Sequence, residues 1–200
     1  MNVHFRAATP KDVDAAIPLI FSSGPGAFDY IFSPKPSQAQ EFLRYTFQDG
    51  AGEFGYKNHI VGELNGKVVA IGAAFDGEST LNFFLAAGRQ IASFYGLAAF
   101  SVIRHGLQVE SIIQPPKGRL HYIAHLGVDP SLQSKGIGAK LVEHLMEQGR
   151  KAGKTHTALD VSVLNPRAQA LYERLGFQLT VHRPSTLNGV PSHNRLERAL

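Results

Sequence analysis

The stretch Gln133-Ser-Lys-Gly-Ile-Gly-Ala-Lys-Leu141 decides how this chain is read. It follows a β-branched and aromatic run, Leu120 to Val128, and opens an apolar helical face formed by Ile137, Leu141, Val142, Leu145 and Met146. A helix start presents unpaired N–H groups and about half a positive charge. Glycines let the main chain approach an anion without Cβ atoms in the way. Strand, glycine-bearing turn and helix together therefore predict a phosphate site. Gly136 and Gly138 do not supply the P-loop pattern, which requires Gly, four residues, then Gly-Lys-Ser/Thr. The dinucleotide pattern needs a third glycine where Leu141 stands, although Asp160 lies at the expected distance of about 20 residues.

Upstream, Val3 to Arg6 alternates as a first strand. Thr9 then reads as an N-cap, with Pro10 at the first helical position and Asp12 in the first turn. Val13, Ala16, Ile17 and Ile20 keep helical spacing, and Pro18 is expected to kink or shorten that helix. Ser22 to Gly26 reads as an irregular loop, and Ser37 with Gln40 as a capping box for a helix carrying Phe42, Leu43 and Phe47. His59 to Leu64, Asn65-Gly66 and Lys67 to Phe75 form a β-hairpin, because Asn-Gly supplies the two positive-φ residues of a type I′ turn. Thr80 to about Gln114 is aromatic and mostly helical, and Pro115-Pro116 closes it.

Beyond the glycine stretch, His156 to Leu164 reads as a strand. Asn165-Pro166 starts a short helix with Ala168, Leu171, Tyr172 and Leu175 on one face and Gly176 as its C′ residue. Two closing strands are expected near Gln178–His182 and His193–Leu200. Composition narrows the function. The 200 residues suit one domain, with 44% apolar and 18% charged residues. A net charge of +4 with scattered basic residues gives no nucleic-acid footprint. The absence of cysteine removes disulfides, thiolate metal sites and a cysteine nucleophile. His121 and His125 lack a third ligand at zinc spacing, so no metal is expected. No apolar run reaches membrane-spanning length and the N-terminus has no apolar leader, so a cytoplasmic protein without membrane contact is expected.

Gln133-Ser134-Lys135-Gly136-Ile137-Gly138 resembles motif A of the GNAT family of N-acetyltransferases, where Gln or Arg, two residues, Gly, any residue, then Gly or Ala wrap the pyrophosphate of acetyl-CoA. The preceding Leu126-Gly-Val-Asp-Pro130 resembles that family's strand end. Asn165-Pro-Arg-Ala168-Gln-Ala-Leu171-Tyr172-Glu-Arg-Leu-Gly176-Phe177 resembles its motif B at every fixed position. The likeness covers 120–177, and the hairpin resembles the family's second and third strands. The segment 80–114 is longer than the usual connection and resembles nothing in the pattern. The resemblance implies an α/β (α+β) fold, a mixed and mostly antiparallel sheet of about six to seven strands flanked by helices. A helical insertion would separate the third and fourth strands of a single domain over 1–200.

The resemblance also implies an enzyme that transfers an acetyl group from acetyl-CoA to a primary amine in a ternary complex. The alternative is a non-catalytic acyl-CoA-binding or regulatory module on the same scaffold. Leu126, Gly127 and Val128 would hold the pantetheine arm with their backbone and aim an N–H at the acetyl carbonyl. Gln133, Ser134, Lys135, Gly136, Ile137, Gly138 and Ala139 would hold the phosphates, and Asn165 the CoA arm. Tyr172, on an apolar helical face, would stand near the sulfur as general acid. Its phenol, of ordinary pKa about 10, stays protonated at neutral pH. For the base, Glu63 on the hairpin is one candidate, with ordered water or desolvation as others. Strict strand alternation places His121 and His125 on the face opposite Tyr122, in packing roles. The Gly24 to Phe32 loop and the aromatics from Phe83 to Phe100 are expected to wall the acceptor pocket, with Asp29 and Tyr30 meeting a cationic amine. The amine itself is not identified, and a homodimer is open.

Overall fold

A computed structural model of the chain describes residues 2–35 and 38–200. The elements run β1 (His4–Ala7), α1 (Val13–Ser22), α2 (Pro25–Phe32), α3 (Gln38–Asp49), β2 (His59–Leu64), β3 (Lys67–Phe75), α4 (Thr80–Tyr95), α5 (Ala99–Glu110), β4 (His121–Val128), α6 (Ile137–Lys151), β5 (His156–Ser162), α7 (Pro166–Arg174), β6 (Gln178–Arg183) and β7 (His193–Ala199). The strands form one sheet in the order β1-β2-β3-β4-β5-β7-β6. Every neighbouring pair is antiparallel except β4 with β5, the pair joined through α6. The mixed, mostly antiparallel sheet is the expected one.

The hairpin turns where its sequence demands: Asn65 and Gly66 both have positive φ, 52° and 76°. Opposite the middle of β4, Gly72 lets two leucines close over the strand: a Cβ there would stand 2.9 Å from the Leu126 side chain and 3.0 Å from that of Leu145. Two apolar layers cover the sheet. On one face α6 lays down Leu141, Val142, Leu145 and Met146, all fully buried, against Val69, Ile123, Leu159 and Leu196. Full burial of each such aliphatic is worth about 1.5–3 kcal/mol, so this face anchors the helix whose N-terminus carries the glycine turn. Arg150 and Lys151 occupy its last turn, where cations complement the helix dipole.

The other face is covered by α1 to α5 through Ile17, Ile20, Phe28, Phe42, Phe47 and Ile91. Two details differ from expectation. The residues after Gly24 are a helix, not a loop, because Pro25 takes a first-turn position where its missing N–H costs nothing. Helix α1 continues through Pro18 to Ser22 without being shortened. Ser37, one half of the expected capping box, lies outside the described residues. Helices α4 and α5 occupy the segment between β3 and β4 and leave Leu81, Leu85, Leu97, Phe100 and Leu107 exposed. Among the described residues no helix is long and apolar enough to cross a membrane.

Candidate active site

The two parallel strands at the centre of the sheet part company almost at once. β4 and β5 pair only at His121 with Thr157 and Tyr122 with Ala158, while β5 stays paired with β7 along its whole length. From Ile123 to Val128 the β5-facing edge of β4 therefore has no strand partner, leaving main-chain donors and acceptors turned into the gap. A cavity of about 530 Å³ opens there, lined by Ile123 to Val128, Asp160 to Ser162, Asn165 and Tyr172. Gly127 belongs to a close approach: a Cβ at this position would sit 2.3 Å from the Leu19 carbonyl oxygen of α1.

At the end of β4, Asp129 accepts from Ser131 N at 2.9 Å and turns the chain. Ser134 and Gly136 then both adopt positive φ, 62° and 80°. Such alternation of backbone handedness turns successive N–H groups toward one point, a concave anion site. The helical ladder of α6 starts with Lys140 N to Gly136 O at 3.1 Å, so the amides of the first turn before it face outward. A residue outside the fixed motif positions joins this loop. Arg167 of α7 donates to Ser134 Oγ and, at 3.2 Å, to Gln133 Oε1. Lys135 is exposed beside it.

Asn165 serves as N-cap of α7, its Oδ1 accepting from Ala168 N at 3.1 Å. Two turns on, Tyr172 lines the cavity and packs against Phe177. Burial pushes its phenol up to about 12, and its hydroxyl has no hydrogen-bond partner among the described residues. Asp160 lies at the cavity wall with only 2% of its side chain exposed. It accepts from Arg195 at 2.6 Å, Tyr122 Oη at 2.8 Å and Arg183 at 3.3 Å. Burial, then the Asp160 charge, drives the Tyr122 phenol well above its ordinary value, so it acts as a donor and not as a base.

This geometry coincides with a family pattern. The model of the acetyltransferase (GNAT) family matches residues 27–177. The chain belongs to that family. Over 112 residues it is 32% identical to the [ribosomal protein bS18]-alanine N-acetyltransferase of Escherichia coli K12, a stretch that covers 56% of this chain. The match spans 64% of that relative, less than two thirds of its length. The fold is similar to an N-acetyltransferase from Staphylococcus aureus Mu50, with TM-score 0.69 and 18% identity over 98% of this chain and 100% of that one. It is also similar to a Salmonella typhimurium protein solved with acetyl-CoA as its cofactor, with TM-score 0.59 and 18% identity over 100% and 95% of the two chains.

Set within this GNAT scaffold, the expected residues divide. Leu126, Gly127, Val128, Gln133, Asn165 and Tyr172 all line the one cavity. Ser134, Lys135, Gly136, Ile137, Gly138 and Ala139 form the turn and helix start beside it. Glu63 does not join them: it is paired between His4 of β1 and Val68 of β3, outside the cavity lining, and Arg6 Nε holds its carboxylate at 3.0 Å. Asp29 and Tyr30 also fall outside the cavity lining, since Asp29 accepts from Ser33 Oγ and Tyr30 donates to Gln108. Of the expected aromatics Phe28, Phe32, Phe83 and Phe84 line the cavity, joined by Phe42, Phe54 and Phe75, whereas Phe100 is exposed.

His125 departs from strict alternation. The register slips in β4: His125 and Leu126 stand against Gly72 alone, and His125 takes φ 55°. The bulge turns its ring to the cavity side, between Phe28 and Phe54. His121, before the bulge, does face the other way and bonds the Leu145 carbonyl at 2.9 Å. Two residues not expected in the site accompany His125. Glu53 Oε1 lies 3.2 Å from its Nε2, and His59 Nε2 lies 3.1 Å from its Nδ1. An isolated glycine inside a strand pattern, here Gly72 of β3, is the sequence signal for such an irregularity.

Proposed function

We infer that this protein is an N-acetyltransferase that moves the acetyl group of acetyl-CoA to a primary amine by direct attack in a ternary complex. The carrying observation is the parting of β4 from β5 beside an anion-competent turn: an unpaired strand edge for an amide-bearing arm, with a phosphate nest at its end. The residues present fit acetyl-CoA. Its pantetheine amides match the β4 edge, and its phosphates match the nest at 134–136 with Arg167 and Lys135 nearby. Asn165 is already committed to Ala168 N through Oδ1, which leaves its amide nitrogen for the arm.

When bound, acetyl-CoA supplies an acyl group activated as a thioester. The chain's part is positioning and proton traffic. An outward β4 amide stabilises charge developing on the acyl oxygen, a fixed donor that needs no reorganisation. Phe28, Phe32 and Phe83 exclude water from the reacting groups. Tyr172 holds a proton on Oη for the departing sulfur; of the two protons the ammonium loses, the first is released before attack and the second, from the attacking nitrogen, replaces the one Tyr172 gives up. The balance is one N–C bond formed, one C–S bond broken and one proton released from the ammonium.

The similarity to a ribosomal-protein alanine acetyltransferase supports including peptide N-termini among candidate acceptors, beside polyamines and lysine side chains. The test is thiol release from acetyl-CoA with such a panel. Acceptor-dependent thiol with a mass gain of one acetyl group is expected. Tight CoA binding without turnover on any amine would instead favour the non-catalytic module.

A further inference from the structure

The proposed transfer needs a base, and the cavity contains a pair of residues that must share a proton. Three hydrogen-bonded gaps run in line: Gly55 O to His59 Nδ1 at 2.9 Å, His59 Nε2 to His125 Nδ1 at 3.1 Å, and His125 Nε2 to Glu53 Oε1 at 3.2 Å. Gly55 O is a carbonyl and can only accept, so His59 Nδ1 carries hydrogen. Each remaining gap also needs one hydrogen, since two lone pairs at about 3 Å repel. Two neutral imidazoles and an ionised carboxylate bring only two hydrogens to three gaps. A third proton completes the chain and leaves it electrically neutral as a whole.

We propose that Glu53 and His125 together form the general base of the acetyl transfer, holding one exchangeable proton between His125 Nε2 and the Glu53 carboxylate. This rests on the proposed acetyltransferase function. His59 is fully buried, and burial, then His125, holds it neutral with a pKa of about 3. It is a positioning residue that fixes the His125 tautomer, while the charge stays at the outer end. Glu53 reaches solvent and the cavity, with 40% of its side chain exposed, and His125 keeps 7%.

The chemistry follows from the count. With the third proton absent the unit carries one negative charge and has two lone pairs facing each other. An acceptor ammonium of pKa about 10.4 donates its proton there, regaining the lone pair it needs to attack and restoring the complete hydrogen-bond chain. Other titratable groups face the unit. Glu110 of α5 carries a raised pKa, through burial first and then Glu53, and Tyr122 of β4 feels the Glu53 charge. From α2 the Phe28 ring packs against His125. Glu110 is a second carboxyl group on the cavity wall.

The decisive experiment pairs ring-nitrogen NMR with kinetics. Two-bond 1H–15N spectra of the wild-type chain, with His125 assigned from His125→Asn, are recorded across pH together with kcat/KM. His125 should convert from doubly protonated to the Nδ1–H tautomer, with His59 remaining neutral, and the acid limb of kcat/KM should share that midpoint. In Glu53→Gln the amide can donate to His125 Nε2, so His125 should stay neutral through the same range and kcat/KM should fall about 100-fold at neutral pH. A His125 that titrates identically in wild type and Glu53→Gln would overturn the shared proton. A kinetic limb that ignores the NMR midpoint would overturn the catalytic role. The spectra require no turnover, so a protein that acetylates nothing would refute the proposed function while the proton count is still decided.

Discussion

Replacing Tyr172 by Phe removes one oxygen from the cavity and almost nothing else. The ring keeps its contact with Phe177, and the lost hydroxyl leaves no partner behind among the described residues. Folding stability should therefore change by less than about 0.5 kcal/mol, the range of substitutions that break no named interaction. CoA affinity should hold within about threefold, because the strand edge and the nest are untouched. Turnover should not survive so well. A positioned general acid contributes about 100- to 10,000-fold, so kcat should fall at least 100-fold, about 2.7 kcal/mol of barrier. Since burial holds the phenol at about 12, no loss of activity from its ionisation should appear below about pH 11. Stopped-time thiol release, calorimetric CoA binding and urea unfolding on the same preparation separate these quantities. A kcat within threefold of wild type, or losses of kcat and CoA affinity in equal measure, would refute the assignment of Tyr172 as the acid.

Three further outcomes follow from the geometry. Asp160→Ala leaves the buried Arg195 guanidinium without its carboxylate and should cost about 3–5 kcal/mol in urea unfolding; a loss under 1 kcal/mol would mean that solvent reaches Arg195. Gly127→Ala drives a methyl group into the Leu19 carbonyl and should destabilise by at least about 1–3 kcal/mol, with an unchanged denaturant midpoint contradicting the close approach of α1 to β4. His59 is depressed from 6.5 to about 3, so the unfolded chain takes up a proton that the folded one refuses. Its contribution is complete above pH 6.5 and is lost as pH falls toward 3, on the order of 3–5 kcal/mol. His121 and His193, also depressed by burial, add to that slope. Unfolding free energies between pH 7 and 4 should fall less steeply in His59→Gln, and parallel slopes would show that His59 is charged in the folded state.

The sheet and its helices were readable because their signals are local. Asn65-Gly66 specifies its own turn, the spacing from Ile137 to Met146 specifies one buried face, and Gly176 marks a helix end with φ 85°. The glycine turn and the Asn165 to Phe177 pattern were readable for the same reason, and the structure brings Asn165 and Tyr172 into the cavity lining with the turn beside it. The base region was not. Period-two alternation assigns His125 to the wrong face, since a bulge depends on how β4 lies against β3, which no window of β4 contains. Glu53 lies in a short connection between α3 and β2, and nothing in its neighbours announces that it meets a histidine 72 positions later. Glu63 has the right residue type on a plausible strand, but Arg6 claims it across the sheet edge. Pairings between residues distant in sequence decide a site's acid–base chemistry, and these are the least visible features of a single sequence.

The most direct test of the account is backbone amide NMR during titration with acetyl-CoA. The shifts should concentrate in the β4 edge from Ile123 to Val128, the turn and helix start at 133–139, and Asn165, with saturation and a weaker affinity at higher salt. Undisturbed amides at 133–139 in the presence of bound acetyl-CoA, or a binding footprint on another face of the sheet, would contradict it.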